Sequence, residues 1–366
     1  MEIIDIISEG YKEYKGHSAT KIVPLPRSGS DRRYFRVFDE GNTVVGTYNK
    51  DRDENNAFVG FTEHFVSANL PVPEVFYYEP DKFIYFQKDL GDLNLYTWLH
   101  SRPDISGFNE ETKRLYRKIL DKLILFQTRG IRGLNLDLCY PHKSFDRQSM
   151  MWDMNYYKYM LLKLLAVPFR ERYLEHDFDT LADYLLETGQ NYFLYRDFQT
   201  ANIMLIGEEP WFIDYQGGRK GAPQYDVASL LNDAKIPMNQ ADRDEMMEYF
   251  LENFCKITNE DKQKFRGYYS GFSMIRLMQA LGAFGFRGLY EKKPTFTETL
   301  VPAVFLLQTI AAKASEHIRL PELFSAINAS SQTPLFKTLE VNRKYTPDYE
   351  SDDLIRWIRN PARENY

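Results

Sequence analysis

Residues 195–214 read Tyr195-Arg196-Asp197-Phe198-Gln199-Thr200-Ala201-Asn202-Ile203-Met204-Leu205-Ile206-Gly207-Glu208-Glu209-Pro210-Trp211-Phe212-Ile213-Asp214. Two short apolar runs, Ile203–Ile206 and Trp211–Ile213, flank the turn-like Gly207-Glu208-Glu209-Pro210, which predicts a β-hairpin. Asp197 stands five positions before Asn202, and Asp214 follows the second run. A hairpin brings its two ends together, so these three oxygen-bearing side chains are expected around one point. An Asp and an Asn at that spacing are, alone, ordinary turn and cap residues. Arg196 before the Asp, the hairpin length between Asn202 and Asp214, and the segment beyond make the pattern specific.

The chemistry explains the residue types. Transfer of a phosphoryl group to an alcohol needs a carboxylate beside the hydroxyl to orient it and take its proton. It also needs hard oxygen ligands for Mg²⁺, which a carboxylate and an amide carbonyl supply. Asp197 suits the first role as the catalytic residue, and Asn202 and Asp214 suit the second as metal ligands. The segment that follows runs Asp214-Tyr215-Gln216-Gly217-Gly218-Arg219-Lys220-Gly221-Ala222-Pro223-Gln224-Tyr225-Asp226-Val227-Ala228. With these residues the chain resembles the aminoglycoside phosphotransferase and choline kinase superfamily, which shares a protein-kinase-like fold. It is most similar to the bacterial sugar kinases that phosphorylate the anomeric hydroxyl of N-acetylmuramate and N-acetylglucosamine. Those enzymes have a similar catalytic run, an Asp-Phe-Gln-like metal segment and a Tyr-Asp-hydrophobic-Ala motif. They also have a Gly/Ser loop ending in an Arg-Arg-Tyr-Phe-Arg-like string, matched by Ser28-Gly29-Ser30-Asp31-Arg32-Arg33-Tyr34-Phe35-Arg36. Asp89-Leu90-Gly91-Asp92 and Gln279-Ala280-Leu281-Gly282-Ala283-Phe284-Gly285 are similar to further parts of the family.

The resemblance implies an α+β, protein-kinase-like bilobal fold. A small antiparallel-sheet N-terminal lobe (residues 1–90) would bind nucleotide, and a larger, mainly helical lobe (91–330) would carry the catalytic hairpin and the acceptor site. Residues 331–366 would form a tail that packs along the surface or frays. ATP and Mg²⁺ are the implied cofactors and a small-molecule hydroxyl acceptor, most plausibly an amino sugar, the implied partner. Only twelve positions separate Asp214 from Asp226 and no Ala-Pro-Glu follows, so there is no room for a segment that holds a peptide substrate. Two other readings share these residues: the same mechanism on an aminoglycoside, and a catalytically silent nucleotide-binding module.

The region before the hairpin supports the first lobe. Short β-type runs at Lys21–Leu25, Tyr34–Phe38, Thr43–Tyr48, Val75–Tyr78 and Phe83–Gln87 surround a helical stretch, Glu54–Ala68, with Phe58, Phe61 and Phe65 on one face. A turn at Ser28, Gly29 and Ser30 could aim backbone N–H groups at phosphate oxygens, with Arg32, Arg33 and Arg36 as added cations. Its plainer reading is a hairpin turn. Adenine is expected near Gln87, Lys88 and Asp89, bonded through backbone groups. One departure stands out: the third strand, Thr43–Tyr48, lacks the lysine that kinases of this fold pair with a helix glutamate. Lys50 with Glu54 or Glu63 could replace that pair if the strand extends, or an arginine from the preceding loop could hold the phosphates. Asp226 is expected to be structural, as a buried carboxylate bonding the catalytic loop or a helix cap. Trp152, Asp153, Tyr156 and Tyr157, and Phe284-Gly285-Phe286-Arg287, are candidate acceptor contacts, although an aromatic stripe at helical spacing is more often core.

Composition narrows the alternatives. The 366 residues are 43% hydrophobic and 27% charged, as in globular domains, and 46 basic against 52 acidic residues leave −6. That balance, without a basic run, argues against broad capture of nucleic acid. Two distant cysteines, Cys139 and Cys255, make no disulfide framework, and a reducing cytoplasm is the expected home. No histidine pair or Cys-x-x-Cys marks a zinc site. The first ten residues lack the cationic start of a signal peptide. Leu300–Ala312, the most apolar stretch, reads as a buried helix, too short to span a bilayer. The oligomeric state has no signature in the sequence.

Overall fold

The computed structural model describes residues 2–26, 31–101, 108–236 and 238–342. The chain divides into two compact units, one formed by residues 1–144 and 191–226, the other by 145–190 and 227–366.

The first unit is built on five antiparallel strands. They are β1 (Lys21–Pro24), β2 (Arg33–Asp39), β3 (Asn42–Tyr48), β4 (Val75–Glu79) and β5 (Ile84–Lys88), in the order β1-β2-β3-β5-β4. Because side chains alternate along a strand, directly opposed residues share a face. One face carries Phe35, Val37, Tyr48, Ile84 and Phe86, which bury Ile7 and Tyr11 of α1 (Ile3–Lys15). Gly46 permits that contact, since a Cβ there would lie 2.9 Å from Phe86 and 3.1 Å from Ile7. The register Tyr34↔Thr47↔Tyr85 and Arg36↔Val45↔Gln87 puts a polar, aromatic set on the opposite face. Helix α2 (Arg52–Ser67) covers part of it. Asp51 accepts from the Glu54 N–H at 3.0 Å to cap the helix, and Phe58 stacks on Tyr85 with centroids 5.0 Å apart.

The unit continues with α3 (Leu95–His100) and α4 (Glu110–Leu125), which runs into a π-helical turn at Phe126–Gly130. After the excursion into the second unit it resumes with β6 (Tyr192–Leu194), the hairpin β7 (Ile203–Ile206) and β8 (Glu209–Phe212), and β9 (Arg219–Gly221), which pairs with β6. The hairpin turn is tighter than the sequence suggests. Only Gly207 and Glu208 lie between the strands, with Gly207 at φ 62°, the left-handed backbone that two-residue hairpins require. Pro210 sits within β8 opposite Leu205.

The second unit is helical: α5 (Arg147–Tyr157), α6 (Glu171–Leu186), α7 (Gln224–Leu231, begun in the first unit), α8 (Gln240–Thr258), α9 (Lys262–Phe284), α10 (Pro294–Ala314), α11 (Pro321–Ser330) and α12 (Pro334–Asn342). Helix α10 corrects the reading of Leu300–Ala312. At 21 residues it is long and apolar enough to cross a membrane by length and composition. Its Leu300, Val301, Val304, Leu307 and Ile310 are buried, as in a core helix packed on α9. Within the segment expected to pack along the surface or fray, Leu335, Phe336 and Leu339 of α12 are buried. Residues 343–366 lie outside the described set. Cys139 and Cys255 are both free thiols.

Candidate active site

The hairpin does bring its ends together. Asn202 Nδ2 donates to the Asp197 carbonyl oxygen at 3.0 Å and to Asp214 Oδ2 at 3.1 Å. One amide group therefore ties the Asp before the hairpin to the Asp after it, and the Ile213 N–H to Asn202 carbonyl bond at 3.1 Å extends the ladder up to the junction. Asp214 (φ 69°) and Arg196 (φ 84°) both have left-handed backbone, which costs a non-glycine residue of order 1 kcal/mol or more and persists where the surroundings fix it.

The fixing groups are visible. Asp226 is fully buried and accepts the Tyr195 N–H at 2.7 Å and the Arg196 N–H at 3.0 Å, so it anchors the chain leading into Asp197. Tyr195 is buried as well, and its hydroxyl donates to the Ile213 carbonyl at 2.6 Å. Burial first, and then nearby tyrosine and aspartate groups, pushes its phenol well above the ordinary range, so it stays a neutral donor. Beyond Asp214, Tyr215 stacks on Phe58 with centroids 5.1 Å apart, and its hydroxyl hydrogen-bonds Thr62 of α2.

A second network converges on Asp214 Oδ1. Arg32, just before β2, reaches it with Nη1 at 3.3 Å, while its Nη2 pairs with Glu54 in the first turn of α2. Gln216 Nε2 bridges the same two carboxylates, at 2.8 Å from Asp214 and 3.5 Å from Glu54. Asn49 Nδ2 holds the other Glu54 oxygen at 2.8 Å. Lys50 and Glu63, weighed from the sequence as a replacement pair, are both exposed, and Glu54 pairs with Arg32. Arg32 is an expected phosphate contact, but its pairing with Glu54 and the part played by Gln216 are not expected from the sequence; only the Asp-x-Gln spacing hints at the latter.

Among the described residues, the remaining candidate nucleotide contacts are spread out. Ser28, Gly29 and Ser30 lie outside the described residues. Arg33 alternates onto the face of β2 that carries Phe35 and Val37, away from Tyr34. Gln87 is buried on β5 with Nε2 3.4 Å from Thr47 Oγ1 and Oε1 without a partner. Asp89 is committed to structure: it accepts from Arg36 Nε at 2.6 Å, Arg36 Nη2 at 3.1 Å and the Gly91 N–H at 2.9 Å. Burial alone would raise its carboxyl, yet the Arg36 and Gly91 bonds outweigh this and hold it below the usual range. Replacing Asp89 with Ala is expected to cost about 2–4 kcal/mol at pH 7, because Arg36 loses its buried partner. A carboxyl with a lowered folded pKa stabilises above its unfolded value of about 3.9 and loses that effect as pH falls through the folded one. The wild-type advantage in urea melts should therefore be full at pH 7 and shrink below about pH 4.

Within the second unit, Tyr157 and Asp153 are buried while Trp152 is 45% exposed. Gly285 serves helix packing rather than ligand approach, since a Cβ there would fall 1.9 Å from the Met160 carbonyl oxygen.

Residues 21–268 match the profile of the phosphotransferase enzyme family (APH). The chain belongs to that family. Two N-acetylmuramate/N-acetylglucosamine kinases are similar to it, from Neisseria meningitidis serogroup B (28% identical, 56% of this chain and 59% of that protein) and Pseudomonas aeruginosa (24%, 63% and 64%). The chain thus spans about six-tenths of the length of the curated relatives it matches. Among solved structures, a thermostable mutant of aminoglycoside phosphotransferase APH(4)-Ia, in ternary complex with ADP and hygromycin B, superposes with a TM-score of 0.52 at 15% identity. That match covers 86% of this chain and 99% of the other, and it shows the shared protein-kinase-like α+β fold.

Proposed function

We propose that this phosphotransferase-family chain transfers the γ-phosphoryl group of ATP to a hydroxyl of a small molecule, an amino sugar of the N-acetylhexosamine type. The observation that carries the reading is the single Asn202 amide that links Asp197 to Asp214. The acceptor assignment is supported by the two sugar-kinase relatives.

Among the described residues no cluster of three or more His, Cys, Asp or Glu could cage a metal. Asp214 and Asn202 nevertheless fit Mg²⁺, which takes hard oxygen ligands and commonly completes its shell with phosphate and water. With Nδ2 spent on Asp197 and Asp214, the Asn202 amide oxygen is the atom left to ligate. Bound there, the ion would neutralise charge on the transferring phosphates. Asp197 would accept the acceptor's hydroxyl proton on a carboxylate oxygen as the new P–O bond forms and the bond to ADP breaks. Residues 1–90, with Gln87 and the hinge backbone near Asp89, would hold the nucleotide, and residues 91–330 the hairpin and the acceptor.

An acceptor panel with Mg²⁺-ATP, read by ADP release and ³¹P NMR of the product, tests this. N-acetylglucosamine and N-acetylmuramate should turn over and give a sugar phosphate. Turnover of aminoglycosides alone would replace the acceptor, and no turnover on any hydroxyl would favour a silent nucleotide-binding module.

A further inference from the structure

We propose that Arg32 does the work of the lysine the third strand lacks, gripping the nucleotide phosphates from the chain just before the neighbouring strand β2. The inference rests on the phosphotransferase reading above and assigns one of its charges.

β3 offers no cation: its residues are Asn42, Thr43, Val44, Val45, Gly46, Thr47 and Tyr48. The register sets Arg33 opposite Tyr48, so the chain just before β2 delivers Arg32 next to the end of β3. Its side chain is only 4% exposed and lies between Glu54 of α2 and Asp214 of the candidate metal loop. A guanidinium keeps its charge when buried, and two carboxylates plus the Tyr34 hydroxyl at 3.4 Å fix its planar fork. These bonds use three of the five N–H donors. Among the described residues no acceptor is recorded for Nε or for one Nη2 hydrogen, and that pair presents the bidentate geometry that suits phosphate. A cation held this way needs no reorganisation when charge arrives. The network also explains Glu54: it orients Arg32 as the helix glutamate orients a strand lysine in related enzymes.

Arg32→Met, Arg32→Lys and Glu54→Gln should be compared with wild type by calorimetric titration of ADP and of adenosine, and by kinetics with ATP. For Arg32→Met, ADP affinity and kcat/KM for ATP should each fall about 100-fold while adenosine affinity and the acceptor KM move less than about threefold. Arg32→Lys should lose about tenfold, because an ammonium cannot supply the fork. Glu54→Gln should fall between wild type and Arg32→Met. If Arg32→Met does not fold, the other two variants carry the comparison. ADP affinity within threefold of wild type in the folded variants overturns the assignment. So does a parallel loss of ADP and adenosine binding, which marks a purely architectural role. Wild-type protein that binds no ADP removes the underlying reading instead, so the two failures are distinguishable.

Discussion

Replacing Asp197 with Ala or Asn is expected to lower kcat between about 10²-fold and 10⁴-fold, the range for losing a positioned general base. The substitution should spare the architecture. The Asp197 carbonyl accepts the Asn202 amide at 3.0 Å and the Gln199 N–H at 2.9 Å, two bonds to the main chain that the substitution retains. The chain leading into Asp197 is also held by the fully buried Asp226, which accepts the Tyr195 and Arg196 N–H groups. ADP affinity by calorimetry should stay within about twofold, since the carboxylate faces the acceptor's chemistry in this mechanism. A variant that keeps kcat within tenfold would show that the proton leaves by another route.

Asp214 carries the second large effect, and of a different kind. Asp214→Asn keeps an acceptor for Arg32 and Gln216 but removes the charge, and is expected to lower kcat about 10³-fold. The distinguishing readout is the metal. Wild type should bind ADP more tightly with Mg²⁺ than in EDTA, whereas the variant should show nearly equal affinities. Equal Mg²⁺ dependence in both proteins would place the ion elsewhere.

The sheet and the hairpin were legible because both rest on local signals. Alternation in Tyr34–Phe38 and Thr43–Tyr48, and apolar runs around Gly207, need only neighbouring residues to be read. Asp197, Asn202 and Asp214 were legible for the same reason, since a short hairpin fixes how its ends meet. The Arg32–Glu54–Asp214 network was not, because its members are 22 and 182 positions from Arg32 and meet only once β2, α2 and the hairpin are packed. The departure from the expected strand lysine pointed to a gap, and an arginine from the preceding loop was one of its possible fillers. The folded chain pairs Arg32 with Glu54 and leaves Lys50 exposed. Strands β6 and β9, three residues each, are too short to show a period, and their pairing belongs to the tertiary fold. Pro210 misled the reading of the turn, because proline signals a break where here it occupies β8.

The direct test is the position of a divalent ion in crystals grown with AMP-PNP and Mn²⁺, located by anomalous scattering. A peak is expected bonded to an Asp214 carboxylate oxygen and to Asn202 Oδ1, at about 2.0–2.3 Å, with the Asp197 carboxylate facing the terminal phosphate. A nucleotide-bound ion that touches neither Asp214 nor Asn202 would contradict that placement.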